Sequence, residues 1–235
     1  MASQPPFSPG LIIFDCDGVL VDSEPLALRV LIEGIAERGI TLEEDSASER
    51  FLGRSLASVI KMVQRDFGVA LEADALERMR DRLYALFREE LRPIAGLAET
   101  LERLAVPFCV ASSSQMERIR LSLELTGLAR YFGNRIFSAT MVAEGKPAPD
   151  LFLLAASRMH VLPEQCIVIE DSPAGIEAAR RAGMRALAFT GGSHARLAGH
   201  RERLEALAPD AIFDDMAHLP ELIGTMGGNG SGRDA

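Results

Sequence analysis

The sequence of 235 residues has little basic charge, little cysteine and no long apolar run, and each shortage excludes a class of protein. Its 25 lysines and arginines are outnumbered by 34 aspartates and glutamates, which gives a formal net charge of −9. A general nucleic-acid-binding protein needs a basic surface, so nucleic acid is not an expected partner. A membrane span needs about 20 consecutive apolar residues, and no run approaches that length, so no membrane partner is expected either.

The three cysteines are too few and too widely spaced for a disulfide framework or a zinc site. Cys16, Cys109 and Cys166 each lie in or beside an apolar run, so we interpret them as small core residues in a reducing environment. The first residues, MASQPPFSPG, lack the basic and apolar regions of a secretory signal peptide. We therefore expect a cytoplasmic protein.

Short apolar runs alternate with helical patterns along most of the chain. The predicted strands lie at 11–14, 106–111, 166–169 and 185–189, with a weaker one at 211–213. Predicted helices lie at 96–104, 115–126, 148–158, 173–182 and 197–207. The runs do not alternate in polarity, as expected of strands that are covered on both faces. The pattern predicts an α/β fold, a Rossmann-like doubly wound parallel sheet.

Residues 25–92 break this alternation because they are helical almost throughout, with a long charged amphipathic helix at 71–91. A block of this kind between the first two strands is typical of an inserted subdomain. We predict a core of residues 1–23 and 93–235 and a helical cap of residues 24–92. The Gly-rich, polar end of the chain predicts a flexible tail at 226–235.

Polar residues follow the predicted strands at their carboxyl ends, where open parallel sheets bind ligands. The residues expected to meet at this rim are Asp15, Asp17, Ser112, Ser113, Lys146, Glu170 and Asp171. Crowded carboxylates repel one another, and a hard divalent cation such as Mg²⁺ removes that cost. Because hydroxyl and lysine donors suit a phosphate group and a carboxylate can act as a nucleophile, the pattern indicates phosphoryl chemistry.

The stretch FDCDGVLVD at 14–22 resembles the first motif of the haloacid dehalogenase superfamily, Asp-x-Asp-Gly-[Thr/Val]-[Leu/Ile/Val]-x-Asp. The other motifs follow in order: Ser112 after the second strand, Lys146 in GKPAPD, and Glu170-Asp171 in VIEDSPAG. The helical insertion is similar to the cap of the subfamily that contains β-phosphoglucomutase and bacterial sugar phosphatases. The residues of these motifs most resemble the corresponding motifs of phosphatases that act on 6-phosphogluconate and hexose 6-phosphates.

The resemblance implies a role for each matched residue and Mg²⁺ as the cofactor. Asp15 would be the nucleophile and a metal ligand, and Asp17 the general acid/base, with its backbone carbonyl on the metal. Asp171 would be a metal ligand, and Glu170 a ligand or its neighbour. Ser112 and Lys146 would hold the transferring phosphoryl group. The full set expected to contact substrate is Gly18, Ser112, Ser113, Lys146, Gly53 and Arg54.

Three reactions are compatible with this fold, and a catalytically silent binding protein is a fourth reading. A dehalogenase generally lacks the second aspartate, so Asp17 argues against it. A mutase-like pattern has a histidine where this chain has Ala27 and an arginine where it has Leu56. We therefore expect a phosphatase of a small sugar phosphate, with a mutase as the alternative. This class often works as a monomer, which we also expect here.

Several polar residues have structural interpretations. We expect Asp22 to tie down the hinge where the chain leaves for the cap. Ser114 and Glu117 have the spacing of a capping box, and Ser172 before Pro173 is a predicted N-cap. The four histidines, His160, His194, His200 and His218, are interpreted as surface residues, although the stretch 191–194 could border the rim.

Overall fold

The structure is a computed structural model that describes residues 7–51, 56–196 and 199–228. Six parallel strands form one sheet in the order β3-β2-β1-β4-β5-β6. The strands are β1 (Leu11–Phe14), β2 (Phe108–Ser112), β3 (Ile136–Ser138), β4 (Cys166–Glu170), β5 (Arg185–Phe189) and β6 (Ala211–Phe213). The predicted fold class, an α/β doubly wound parallel sheet, is confirmed.

Eleven α-helices of at least four residues lie within the described ranges. They are α1 (Glu24–Ala36), α2 (Glu44–Phe51), α3 (Leu56–Phe67), α4 (Ala73–Glu90), α5 (Leu97–Arg103), α6 (Met116–Leu125), α7 (Ala129–Phe132), α8 (Asp150–Arg158), α9 (Pro173–Arg181), α10 (His200–Glu205) and α11 (Leu219–Gly228). None of these helices is both long and apolar enough to cross a bilayer.

Strand β1 is apolar at every position because both faces of the sheet are covered by helices. Ile12 and Phe14 point into one apolar cluster, and Leu11 and Ile13 into the cluster on the opposite face. All four side chains are inaccessible to solvent. A strand buried in this way has no polar alternation, which is why the run LIIF reads as a continuous apolar segment. The three cysteines are free and buried, as predicted.

Helices α1 to α4 form the insertion between β1 and β2, and they carry an apolar cluster of their own that includes Leu28, Ile35 and Val63. The two linkers of the insertion pair with each other. Val21 and Pro93 form an antiparallel bridge, and the Asp22 N–H donates to the carbonyl of residue 92 at 3.0 Å. The division into a core and a cap at residues 24 and 92 stays a prediction.

Of the two helix N-terminal caps that the sequence predicts, the structure contains one and lacks the other. Ser172 caps α9, because its Oγ accepts from the Gly175 N–H at 3.1 Å. The capping box predicted at Ser114 is wrong, because α6 begins at Met116 and the Ser114 hydroxyl donates to a carboxylate instead. Residues 226–228 of the predicted tail belong to α11, and the rest of that tail lies outside the described residues.

Candidate active site

The turn after β1 brings the first aspartates to the carboxyl edge of the sheet. The Gly18 N–H donates to the Val21 carbonyl at 2.8 Å, and the φ of Gly18 is +80°, a conformation that L side chains rarely adopt. A Cβ at this position would lie 2.0 Å from Oδ2 of Asp171. Gly18 therefore lets the chain turn and lets the end of β4 approach it closely.

Lys146 joins the ends of β1 and β4. Its Nζ donates to Asp15 Oδ1 at 2.5 Å, to Glu170 Oε1 at 2.7 Å and to the Ala111 carbonyl at 3.0 Å. Burial alone would lower the pKa of Lys146, but the two carboxylates outweigh burial and raise that pKa above its ordinary value. The lysine is therefore a fixed positive charge between two buried acids.

Glu170 is satisfied by protein donors at both oxygens. Oε2 accepts from the Asp171 and Ser172 N–H groups at 2.9 and 2.8 Å and from the Ser172 hydroxyl at 2.8 Å, while Oε1 accepts from Lys146. The N-terminus of α9 thus holds this carboxylate in place. Asp171, whose carboxylate lies against Gly18, is better placed than Glu170 to bind a metal directly.

Asp15 lies close to several other acidic side chains, and Lys146 offsets only part of their combined negative charge. Burial raises the pKa of Asp15 well above its ordinary value; Lys146 lowers it, and Glu170 and Asp171 raise it again. The described residues contain no group of three or more acidic, histidine or cysteine side chains arranged to hold a metal ion. A site built from two carboxylates and one main-chain carbonyl nevertheless fits Mg²⁺, which commonly keeps several waters and substrate oxygens as its remaining ligands.

Asp17 is held by three donors. Ser23 and Arg118 donate to its Oδ1 and Ser114 donates to its Oδ2, each at 2.6 Å. Burial would raise the pKa of Asp17, but Arg118 and the three hydrogen bonds lower it below its ordinary value. The guanidinium of Arg118 also lies 5.4 Å from the ring of Phe87 in α4. Arg118 therefore connects Asp17 to the insertion, a role that the sequence motifs do not indicate.

The serines predicted to contact substrate differ in exposure. Ser112, at the end of β2, is buried, and its Oγ accepts from the Ser114 N–H at 3.1 Å. Ser113 is exposed at the rim. Gly53 and Arg54 lie outside the described residues. The structure thus brings Asp15, Lys146, Glu170 and Asp171 into one cluster and places Ser112 beside the turn that contacts Asp17.

The interpretation of all four histidines as surface residues is wrong for two of them. His160 and His218 are exposed, whereas His194 and His200 are each 2% exposed. His194 Nε2 lies 2.8 Å from Asp171 Oδ2, although the ring is not aligned for a straight hydrogen bond. The stretch 191–194 therefore does border the site, as an element packed beneath it.

The loop that contains His194 is tied to the hinge through Asp22. The Ser193 N–H and hydroxyl both donate to Asp22 Oδ1, at 3.1 and 2.7 Å. Asp22 therefore makes the structural contacts that were predicted for it. It links the start of the insertion to the loop after β5.

A haloacid dehalogenase-like hydrolase family model matches residues 9–183, so the chain belongs to this family of hydrolases and the resemblance seen in the motifs is confirmed. The chain is 32% identical over 212 residues to the 6-phosphogluconate phosphatase of Escherichia coli (strain K12), a match that covers 90% of this chain and 93% of that protein. It is 34% identical over 182 residues to fructose-1-phosphate phosphatase YqaB of the same organism, covering 75% of this chain and 94% of that one.

The fold is also shared with solved structures. A crystal structure of a haloacid dehalogenase family hydrolase from Deinococcus radiodurans R1, with bound phosphate and sodium, superposes with a TM-score of 0.76 at 32% identity. That match covers 95% of this chain and 98% of the other. The chain is thus a haloacid dehalogenase-like hydrolase, and it has the fold of a solved member of that family.

Proposed function

We propose that this hydrolase is a Mg²⁺-dependent phosphatase that cleaves a small sugar phosphate through a phosphorylated Asp15. The observation that carries the proposal is the position of Asp15 at the end of β1, in contact with Lys146 at 2.5 Å and in the same acidic cluster as Asp171. A carboxylate whose charge is offset by a fixed cation can approach a phosphate monoester with less repulsion than an unpaired carboxylate.

Asp15 and Asp17 divide the chemistry between them. In the first step an oxygen of Asp15 attacks phosphorus, the bond from phosphorus to the leaving oxygen breaks, and Asp17 gives that oxygen a proton. In the second step water attacks phosphorus, Asp17 takes a proton from the water, and the bond from phosphorus to Asp15 breaks. The lowered pKa of Asp17 suits the second step, and donation in the first step requires a looser contact with Arg118.

The remaining residues hold the phosphoryl group and the metal. Ser112 and Lys146 would bind phosphoryl oxygens. The carboxylates of Asp15 and Asp171 and the backbone carbonyl of Asp17 would hold Mg²⁺, which when bound offsets the negative charge shared by substrate and carboxylates. Glu170 would act through Lys146, because both of its oxygens are already bonded within the protein.

The substrate class follows from the relatives, which are named as phosphatases of 6-phosphogluconate and of fructose 1-phosphate. We place a phosphatase ahead of a mutase because Ala27, in α1, has no side chain that could take part in proton transfer. Gly53 and Arg54 remain predicted substrate contacts. We further propose that the protein is cytoplasmic and acts as a monomer. Size-exclusion chromatography with light scattering tests the oligomeric state.

The test is phosphate release from a panel of sugar phosphates with Mg²⁺, run beside Asp15→Asn and an EDTA control. The panel contains 6-phosphogluconate, hexose 6-phosphates, fructose 1-phosphate, phosphoglycolate and β-glucose 1-phosphate. We expect release that needs Mg²⁺ and is lost in Asp15→Asn. Conversion of β-glucose 1-phosphate to the 6-phosphate without release would favour the mutase, and full activity in Asp15→Asn would refute the covalent mechanism.

A further inference from the structure

His194 is a buried polar residue for which neither the family motifs nor the proposed reaction supplies a role. Its side chain is fully shielded from solvent, and neither ring nitrogen has a well-directed hydrogen bond. A buried imidazole costs stability unless a polar partner compensates it, so the partner of His194 has to be identified. The polar group nearest to it is the carboxylate of Asp171, with Nε2 2.8 Å from Oδ2.

The backbone around His194 leaves room for the ring only because two glycines flank it. A Cβ at Gly18 would lie 2.8 Å from Cε1 of His194, and a Cβ at Gly192 would lie 2.8 Å from Cε1 and from Nδ1. The ring therefore fills the space between the turn after β1 and the loop after β5. On a further side it packs edge-on against His200, with ring centroids 5.0 Å apart.

Among the described residues, His194 is the only one whose side chain makes a close polar contact with the carboxylate of Asp171. Its Oδ2 lies between Gly18 and His194 Nε2, whereas no described residue donates a hydrogen bond to Oδ1. The carboxylate is nearly buried, and burial raises its pKa while His194 opposes that rise. One oxygen is thus held from behind and the other is left available.

We propose that His194 is a positioning residue, which holds Asp171 Oδ2 against the Gly18 turn and so leaves Oδ1 oriented for Mg²⁺. The inference rests on the proposed Mg²⁺ site and adds to it a residue outside the motifs. Carboxylate ligands of metals are commonly oriented by a hydrogen-bond donor behind them, and loss of such a donor typically lowers metal affinity about 10–100-fold. Ser193, the neighbour of His194, is hydrogen-bonded to Asp22. The loop that carries His194 is therefore also attached to the hinge of the insertion.

The decisive experiment compares two amide replacements by isothermal titration calorimetry with MgCl₂. In His194→Gln the amide nitrogen lies as many bonds beyond Cβ as Nε2 of histidine. In His194→Asn it lies only as far as Nδ1. Asn is also smaller than Gln, so His194→Leu, which is close to Gln in volume but has no donor, separates loss of the donor from loss of volume. A residue that merely filled space would support Mg²⁺ binding equally well as Gln and as Leu. Asp171→Asn and the exposed His218→Gln serve as the positive and neutral controls.

We expect His194→Asn to lower Mg²⁺ affinity about tenfold or more, while His194→Gln keeps most of it and His218→Gln matches the wild type. Wild-type affinity in His194→Asn, or the same affinity in His194→Leu as in His194→Gln, would overturn the proposal while leaving the Mg²⁺ site intact. If the wild type itself binds no Mg²⁺, the proposed cofactor fails and this inference fails with it.

A second measurement needs no variant and stands if His194→Asn does not fold. In the wild-type protein labelled with ¹⁵N-histidine, a Mg²⁺ titration should move the ring resonances of His194 and leave those of the exposed His160 and His218 in place. Saturating Mg²⁺ without any change at His194 would contradict a role for this ring at the metal site.

Discussion

Lys146 lies between two buried carboxylates, and its removal would leave both without their shared counter-ion. Its side chain is 3% exposed and contacts both Asp15 and Glu170. In EDTA we expect Lys146→Met to lower the free energy of unfolding by about 3–5 kcal/mol, the usual cost of removing one partner of a buried ion pair. Urea denaturation measures this cost, and phosphate release should be lost as well.

The matched control is the only other lysine of the chain, Lys61, which is exposed in α3. Lys61→Met should unfold within about 0.5 kcal/mol of the wild type, as surface substitutions usually do. Equal stability of the two methionine variants would show that Lys146 is not the counter-ion described here.

Arg118 gives the stability of the protein a dependence on pH through Asp17. A carboxyl whose pKa is lowered on folding stabilises the fold above its unfolded pKa of about 3.9 and loses that contribution as pH falls through the lower folded value. Arg118→Met should therefore lower the free energy of unfolding by about 2 kcal/mol at pH 7. The difference from the wild type should shrink as pH falls below about 4.

Arg120→Met is the control for this comparison, because Arg120 is exposed on the same helix, α6. Denaturation of the three proteins across the pH range tests the effect. A deficit in Arg118→Met that stays constant down to acid pH would mean that the arginine stabilises by packing on Phe87 and not by its charge.

The motif residues were predictable because their spacing along the chain places them at strand ends. Asp15 and Asp171 were predicted in this way, whereas Lys146, in a loop before α8, was predicted only from the motif GKPAPD. Arg118 was not predicted, since it and Arg120 flank the buried Ile119 and the sequence does not tell which of the two faces the rim. His194 was missed because its burial depends on space that Gly18 and Gly192 leave open only in the folded chain.

Among the elements, five of the six strands were predicted, including the three-residue β6, and the equally short β3 was not. The predicted bounds of β1, β5 and β6 match the structure, but β3, with three residues, was not predicted. It is held at the sheet edge by pairing with β2, a tertiary contact that no local pattern reports. For the same reason Ser114 looked like a helix cap: its carboxylate partner is distant in sequence.

The turn after β1 can be tested with a pair of glycines of equal backbone conformation. Gly18 and Gly39 both have φ of +80°, but a Cβ at Gly18 would meet Asp171 whereas one at Gly39 would meet nothing within 4 Å. Gly39→Ala should cost about 1–2 kcal/mol of stability and keep activity. Gly18→Ala should also abolish Mg²⁺-dependent phosphate release. Similar activity in both variants would refute the close approach of β4 to this turn.

At the scale of the whole molecule, Mg²⁺ should stabilise the native state, because its proposed ligands meet only when β1 and β4 lie side by side. A ligand at 100 times its Kd adds about 2.7 kcal/mol, which for a chain of this size raises Tm by about 5–10 °C. Thermal denaturation with MgCl₂ and with EDTA measures the shift. Asp171→Asn should show little of it, and a shift of wild-type size in that variant would exclude Asp171 as a ligand.

The central claim is that Asp15 carries the phosphoryl group during turnover, and trapping that group tests it most directly. The enzyme is quenched with acid during turnover of its best substrate with Mg²⁺, digested and analysed by peptide mass spectrometry. We expect a phosphorylated peptide that contains Asp15, formed at least as fast as phosphate is released and absent in EDTA and in Asp15→Asn. Steady phosphate release with no phosphorylated peptide at any quench time, or with Asp15→Asn fully active, would contradict the account.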